Sequence, residues 1–129
     1  MAVINLDNGD NNFVDTDVGN TINGNGGNDT ISGGGGNDFL TGGSGNDNFV
    51  FASGSTAGAT ISDFAGNGPA VGDTLEFHGF GAASDGAALT WLSGNQWQIH
   101  SGLDGHDEII TINGATAGSI HANDYQFLT

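Results

Sequence analysis

Residues 24–50 read GNGGNDTIS, GGGGNDFLT and GGSGNDNFV, three nonapeptides that abut without a gap. Each starts with Gly and has Gly again at the fourth position, Asn-Asp at the fifth and sixth, and an apolar residue at the eighth. Extending the frame backwards gives DTDVGNTIN at 15–23 and LDNGDNNFV at 6–14. The apolar eighth position persists there as Ile22 and Phe13, while the sixth becomes Asn20 and Asn11. Five units are therefore in phase, three clean and two degraded. A fixed period of this kind signals a repeat architecture, not a flexible Gly/Asn linker, which needs no Asp and apolar residue in constant phase.

The chemistry of one unit explains its shape. Six residues of Gly, Asn and Asp tolerate tight bends and left-handed backbone. The remaining three, with one inward apolar side chain, make a short strand because successive side chains alternate faces. Turn and strand repeated predict a parallel solenoid with Phe13, Ile22, Ile31, Leu40 and Phe49 stacked inside. Each turn offers exposed carbonyls and one carboxylate. Such hard oxygen donors suit Ca²⁺, with its six to eight flexible ligands, better than Mg²⁺. Imidazole and thiolate ligands for transition metals are missing from the repeat. An EF-hand fits poorly, because DTDVGN at 15–20 has its Gly one place early and the twelfth position is Gly26 instead of Glu.

Charge points the same way. The 129 residues include 13 Asp, 2 Glu and no Lys or Arg, for a formal net charge of −15. Only His and the amino terminus can pair with a carboxylate, so the chain opposes its own compaction until a cation neutralises it. Nucleic acid and anionic membrane surfaces are excluded as partners, since both need Lys or Arg. No apolar stretch reaches transmembrane length, so no membrane insertion is expected. There is no Cys, hence no disulfide or thiolate zinc site. No basic start followed by an apolar run marks a classical signal peptide.

The nonapeptides resemble the RTX family, the GGxGxDxUx calcium-binding proteins exported by type I secretion. The resemblance implies a right-handed parallel β-roll, all-β, with two nonapeptides per coil and calcium between turns on one side. Asp29 and Asp47 would then share one edge with Asn11, and Asp38 would lie on the other beside Asn20. The implied ligands are Asp29, Asp38 and Asp47. Carbonyls of Gly24, Gly26, Gly33, Gly35, Gly42 and Ser44 would be their companions. Asn11 and Asn20 can ligate through amide oxygens but each removes a charge, so the amino-terminal sites are expected to be weaker or empty. DNFVF at 47–51, ISDF at 61–64 and GDTLEF at 72–77 are similar to the segment that follows the roll in that family. Asp63 and Asp73 are further ligand candidates, or else turn carboxylates. Ala59 stands where the family usually has Asp.

Residues 1–50 thus form the roll, and 51–129 are read as an antiparallel β cap in the same structural unit. TWLS at 90–93 and QWQIH at 96–100 flank Gly94-Asn95, a hairpin signal. Trp91, Trp97, Phe64, Phe77 and Phe80 are the expected cap core. Asp124 followed by Tyr125, Phe127 and Leu128 is similar to the uncleaved export signal of RTX proteins. None of the four His belongs to a zinc-helix pattern, and no nucleophile elbow surrounds a Ser. The chain is therefore expected to be non-enzymatic: a secreted, extracellular or cell-surface protein that folds on binding several Ca²⁺ ions. A structural or self-assembling role through the open solenoid ends, as a homo-oligomer or filament, is the first reading. The alternatives are the calcium-binding and secretion module of a larger secreted enzyme, or a glycan-binding module.

Overall fold

The computed structural model describes residues 3–15, 19–54, 58–64, 72–113, 120–121 and 124–128. Among them are twelve β-strands and a 3₁₀ turn at Ala83–Asp85. The repeat supplies β1 (Val3–Asn5), β2 (Asn12–Val14), β3 (Thr21–Asn23), β4 (Thr30–Ser32), β5 (Phe39–Thr41) and the start of β6 (Asn48–Ala52). β3, β4 and β5 are three residues long, each followed directly by Gly and a turn. The Gly at the fourth position of each clean unit is left-handed, with φ of 93° at Gly27, 89° at Gly36 and 100° at Gly45. A side chain there would be strained.

Alternate strands go to opposite sheets. With β7 (Thr60–Ile61), β8 (Thr74–His78), β9 (Ala88–Ser93), β10 (Gln96–His100), β11 (Asp107–Ile112) and β12 (Tyr125–Leu128), the first sheet runs β1-β3-β5-β7-β11-β10-β9 and the second β12-β8-β6-β4-β2. Val3 pairs with Thr21 and Thr21 with Phe39, in parallel, and Asn12 with Thr30 and Thr30 with Asn48. Two nonapeptides thus complete one coil. The middle residue of each strand points inward, and Ile22, Ile31, Leu40 and Phe49 are wholly buried. Burial stabilises each by about 1.5–3 kcal/mol. Phe13 and Ile4, in the outermost coil, are only partly buried.

The parallel stack does not end with the repeat. β7 (Thr60–Ile61) pairs with β5, β8 (Thr74–His78) with β6, β11 (Asp107–Ile112) with β7, and β12 (Tyr125–Leu128) with β8, all in parallel. Antiparallel pairing is confined to β9 (Ala88–Ser93), β10 (Gln96–His100) and β11. The cap is therefore an antiparallel hairpin added to one sheet of a roll that continues beneath it. On the second sheet Phe77 centres an aromatic cluster, stacked on Phe51 at 5.8 Å and on Phe127 at 4.9 Å, with Phe80 edge-on at 6.1 Å. Trp97 is buried as expected and Phe64 is partly buried against Phe49. Trp91 is not in the core. It lies on the edge strand, 38% exposed, and its indole N–H donates to the Gly94 carbonyl at 3.0 Å across the hairpin turn.

Candidate metal centre

The turns stack on one another as the strands do, and this places the sixth-position residues in two files. In the first file the backbone N–H of each residue donates to the next carboxylate. Asn11 donates to Asp29 Oδ1 at 2.8 Å, Asp29 to Asp47 Oδ1 at 2.9 Å, and Asp47 to Asp73 Oδ1 at 2.8 Å. In the second file Asn20 donates to Asp38 Oδ1 at 2.9 Å. The grouping expected from the resemblance, Asn11 with Asp29 and Asp47 apart from Asn20 with Asp38, is the one found. Asp73 extends the first file by one rung and is buried. Its partner position in the second file is Ala59, also buried, so that file stops at Asp38.

One oxygen of each clean-repeat carboxylate is used in this way. The other, Oδ2 of Asp29, Asp38 and Asp47, is buried without a hydrogen-bond partner, and so is Oδ1 of Asn11. Burial pushes the carboxyls of Asp29, Asp38 and Asp47 above the ordinary value, Asp47 to about 6. Neighbouring carboxylates push in the same direction, against the backbone N–H that each accepts. A buried, ionised and unpartnered oxygen costs several kcal/mol unless a cation meets it.

The first-position glycines show where that cation fits. A Cβ on Gly24 would lie 2.6 Å from Asp29 Oδ2 and 2.5 Å from the Gly42 carbonyl oxygen. A Cβ on Gly33 would lie 2.8 Å from Asp38 Oδ2, and one on Gly42 would press on Asp47 Oδ2. At Gly26 the nearest groups are Ser44 Oγ and Asn8 Oδ1. Each glycine leaves open a space bordered by oxygen. Among the described residues the carbonyls of Gly24, Gly26, Gly33, Gly35, Gly42 and Ser44 accept none of the turn or inter-coil backbone hydrogen bonds. Among the described residues no group of three His, Asp or Glu side chains is placed to hold a metal ion, so carbonyl and amide oxygens must complete any coordination shell. This donor set fits Ca²⁺.

Asp63 behaves differently. Its two oxygens accept from the N–H groups of Gly42 and Gly43, at 2.9 and 2.8 Å, which clamps the turn above. Sequence reading missed the role of the fifth position. Asp10 accepts from the Asn28 N–H and Asn28 from the Asn46 N–H, at 2.7 and 2.8 Å, so these side chains tie adjacent coils together. The constant Asn of the motif was the available signal.

Each His sits beside a carboxylate. His78 meets Glu76, His100 meets Asp107, and His121 meets Asp124. His106 lies between Asp104 and Glu108, which hold its imidazole above the usual range, Glu108 most strongly. Asp107 faces His100 instead, because alternation along β11 separates it from Glu108. Ser53 Oγ is 3.4 Å from His106 Nε2, the nitrogen that also meets Glu108 at 2.7 Å. Glu108 Oε2 accepts the Gly54 N–H as well, and the group ties the loop to the turn after β6.

Residues 15–49 match the family model described as RTX calcium-binding nonapeptide repeat (4 copies). The chain carries an RTX-repeat β-roll. Two similar solved structures are subunits of the Azotobacter vinelandii mannuronan C5-epimerase. The AlgE6R3 subunit has a TM-score of 0.54 and 24% identity over 92% of this chain and 78% of that one. The AlgE6R2 subunit has a TM-score of 0.54 and 25% identity over 98% and 92%. No curated protein matches the chain.

Proposed function

We propose that this RTX β-roll is a calcium-triggered folding unit, exported unfolded by the type I secretion machinery and folded outside the cell. The observation that carries the reading is the set of buried carboxylate oxygens of Asp29, Asp38 and Asp47 without partners, in a chain that has no Lys or Arg. Sites with Kd near roughly 10⁻⁴ M would be empty at cytosolic calcium and filled outside. Their binding energy then becomes folding energy. Circular dichroism tests this: the calcium-free chain should lack the β signal and regain it on titration to millimolar calcium. A full β spectrum in metal-stripped protein would end the proposal.

The role is structural, not enzymatic. Two observations bear on its form. The similar solved structures are subunits of an epimerase, which supports a module attached to a larger enzyme. Among the described residues the second sheet is parallel throughout, with β2 and β12 at its two edges, and this supports self-assembly. A translated second copy would continue that sheet by setting its β2 beside β12. With no Lys or Arg, the chain offers an anionic glycan no permanently cationic side chain.

A further inference from the structure

Asn20 stands where the clean repeats have Asp, and taken alone it removes a charge from the second file. The first position of the same unit has changed too: it is Asp15 where the clean units have Gly24, Gly33 and Gly42. The two departures meet in space. The Asn20 side-chain amide donates to Asp15 Oδ2 at 2.5 Å, and both residues are buried. In the clean units the carboxylate of the sixth residue leans over the first-position glycine, within 2.6 Å of its absent Cβ at Gly24 and 2.8 Å at Gly33. In the unit starting at Asp15 the geometry is reversed: the carboxylate comes from the first residue and leans toward the sixth. The charge has moved across the turn.

Asp15 also lies directly above the next site. Its N–H donates to the Ser32 carbonyl at 2.9 Å, which stacks it on Gly33, the residue whose open side faces Asp38 Oδ2. That oxygen is buried and unpartnered, in a residue only 2% exposed. Asn20 joins the two carboxylates, its side-chain amide on Asp15 and its backbone N–H on Asp38. Neutral amides orient both groups and neutralise neither.

We infer that Asp15 and Asp38 together hold one divalent, oxygen-preferring cation in the amino-terminal coil, with Asn20 orienting Asp15. The second file then has a two-carboxylate site at the place where Asn20 alone would predict a weak one. This rests on the calcium-folding reading above. It assigns to calcium binding a residue outside the Gly-and-Asp pattern of the repeat.

Isothermal calorimetry and terbium luminescence on the full chain provide the test, with calcium as titrant and circular dichroism at saturating calcium to verify folding. Asp15→Asn keeps shape and hydrogen bonding but removes the charge. It should bind one ion fewer, or bind one ion about tenfold more weakly, because ligand charge sets affinity in such sites. The double variant Asp15→Gly with Asn20→Asp restores the first- and sixth-position pair of a clean unit, returning the carboxylate to the sixth residue, and should restore wild-type stoichiometry and affinity. Wild-type binding by Asp15→Asn, or a missing site in the double variant, would overturn the inference. Asp29→Asn is the reference: if it loses calcium and Asp15→Asn does not, only the present inference fails. If wild-type protein binds no calcium, the folding reading fails with it. Should Asp15→Asn not fold at any calcium concentration, the double variant alone decides.

Discussion

At the scale of single residues the buried carboxylates set how the chain responds to protons and to calcium. Asp29, Asp38 and Asp47 have folded-state values raised above their unfolded values, chiefly by burial, and Asp47 reaches about 6. Such a group favours folding fully only below its unfolded value near about 4, and that contribution is lost as pH rises through the folded value. Metal-stripped protein should therefore gain β-structure as pH falls from about 7 toward 4.5. His106, also raised, acts in the same direction. Asp104 is held down to about 2 by His106, so its own contribution is lost only at lower pH. Asp47→Asn separates these sources: it should flatten much of the metal-free pH dependence while weakening calcium binding. Circular dichroism against pH would show it, and an unaltered profile in Asp47→Asn would mean that Asp47 is not the titrating group. Calcium titration of alanine variants is a second check. Asp29→Ala and Asp38→Ala should each weaken sites at least about tenfold. Asp104→Ala, in an exposed loop away from both files, should change binding little. Equal effects from all three would mean that the files are wrongly assigned.

At the scale of strands and turns, what could be read in the sequence depended on distance along the chain. The repeat was legible because coil partners are a constant 18 residues apart, as in the Asn20–Asp38 and Asp29–Asp47 bonds. Beyond residue 50 the spacing changes to 21 residues between Thr41 and Ser62 and 26 between Asp47 and Asp73. No period survives, so the parallel placement of β7, β8, β11 and β12 left no local trace. Hairpin chemistry at Gly94-Asn95 was local and readable. Which tryptophan faces the core was not, since that depends on β9 lying at a sheet edge. Two substitutions follow from the coil geometry. Leu40→Ala empties a fully buried position between Ile22 and Ile61 and should cost about 2–5 kcal/mol of calcium-loaded stability. Val14→Ala, at an exposed edge position, should cost far less, and chemical denaturation at fixed calcium would compare them. Ala59→Asp would continue the second file beyond Asp38. It should add one calcium ion by calorimetry, and unchanged stoichiometry in a folded variant would show that this turn cannot form a site.

For the whole molecule the issue is how an acidic solenoid ends. On one side β9 and β10 extend the first sheet, and Trp97 and Ile99 of β10 are buried with Ile110 of β11. On the other side β1 and β2 are edge strands among the described residues, with Val3 60% and Val14 65% exposed. Ile4, Leu6 and Phe13 behind them are only partly covered. Such an edge presents a row of backbone donors and acceptors to any strand that can lie alongside. Neither Lys nor Arg guards it, and Asn12 in β2 is polar but uncharged. The second sheet is parallel from β2 to β12, so a copy translated along the roll meets an edge of matching direction. A heterologous contact of this kind would not close on itself, and the expected product is a filament. The opposing force is repulsion between subunits of charge −15, which is screened by salt and reduced by bound calcium. Assembly should therefore require calcium twice, to form the edges and to let them approach. It should grow with protein concentration and with ionic strength at fixed millimolar calcium. Val14→Lys, a charge placed on the edge strand, should block it without changing calcium stoichiometry. Light scattering and negative-stain microscopy would follow the assembly. A monomer that persists across a hundred-fold concentration range (on the order of 10 μM to 1 mM) at saturating calcium would leave the module reading in place of self-assembly.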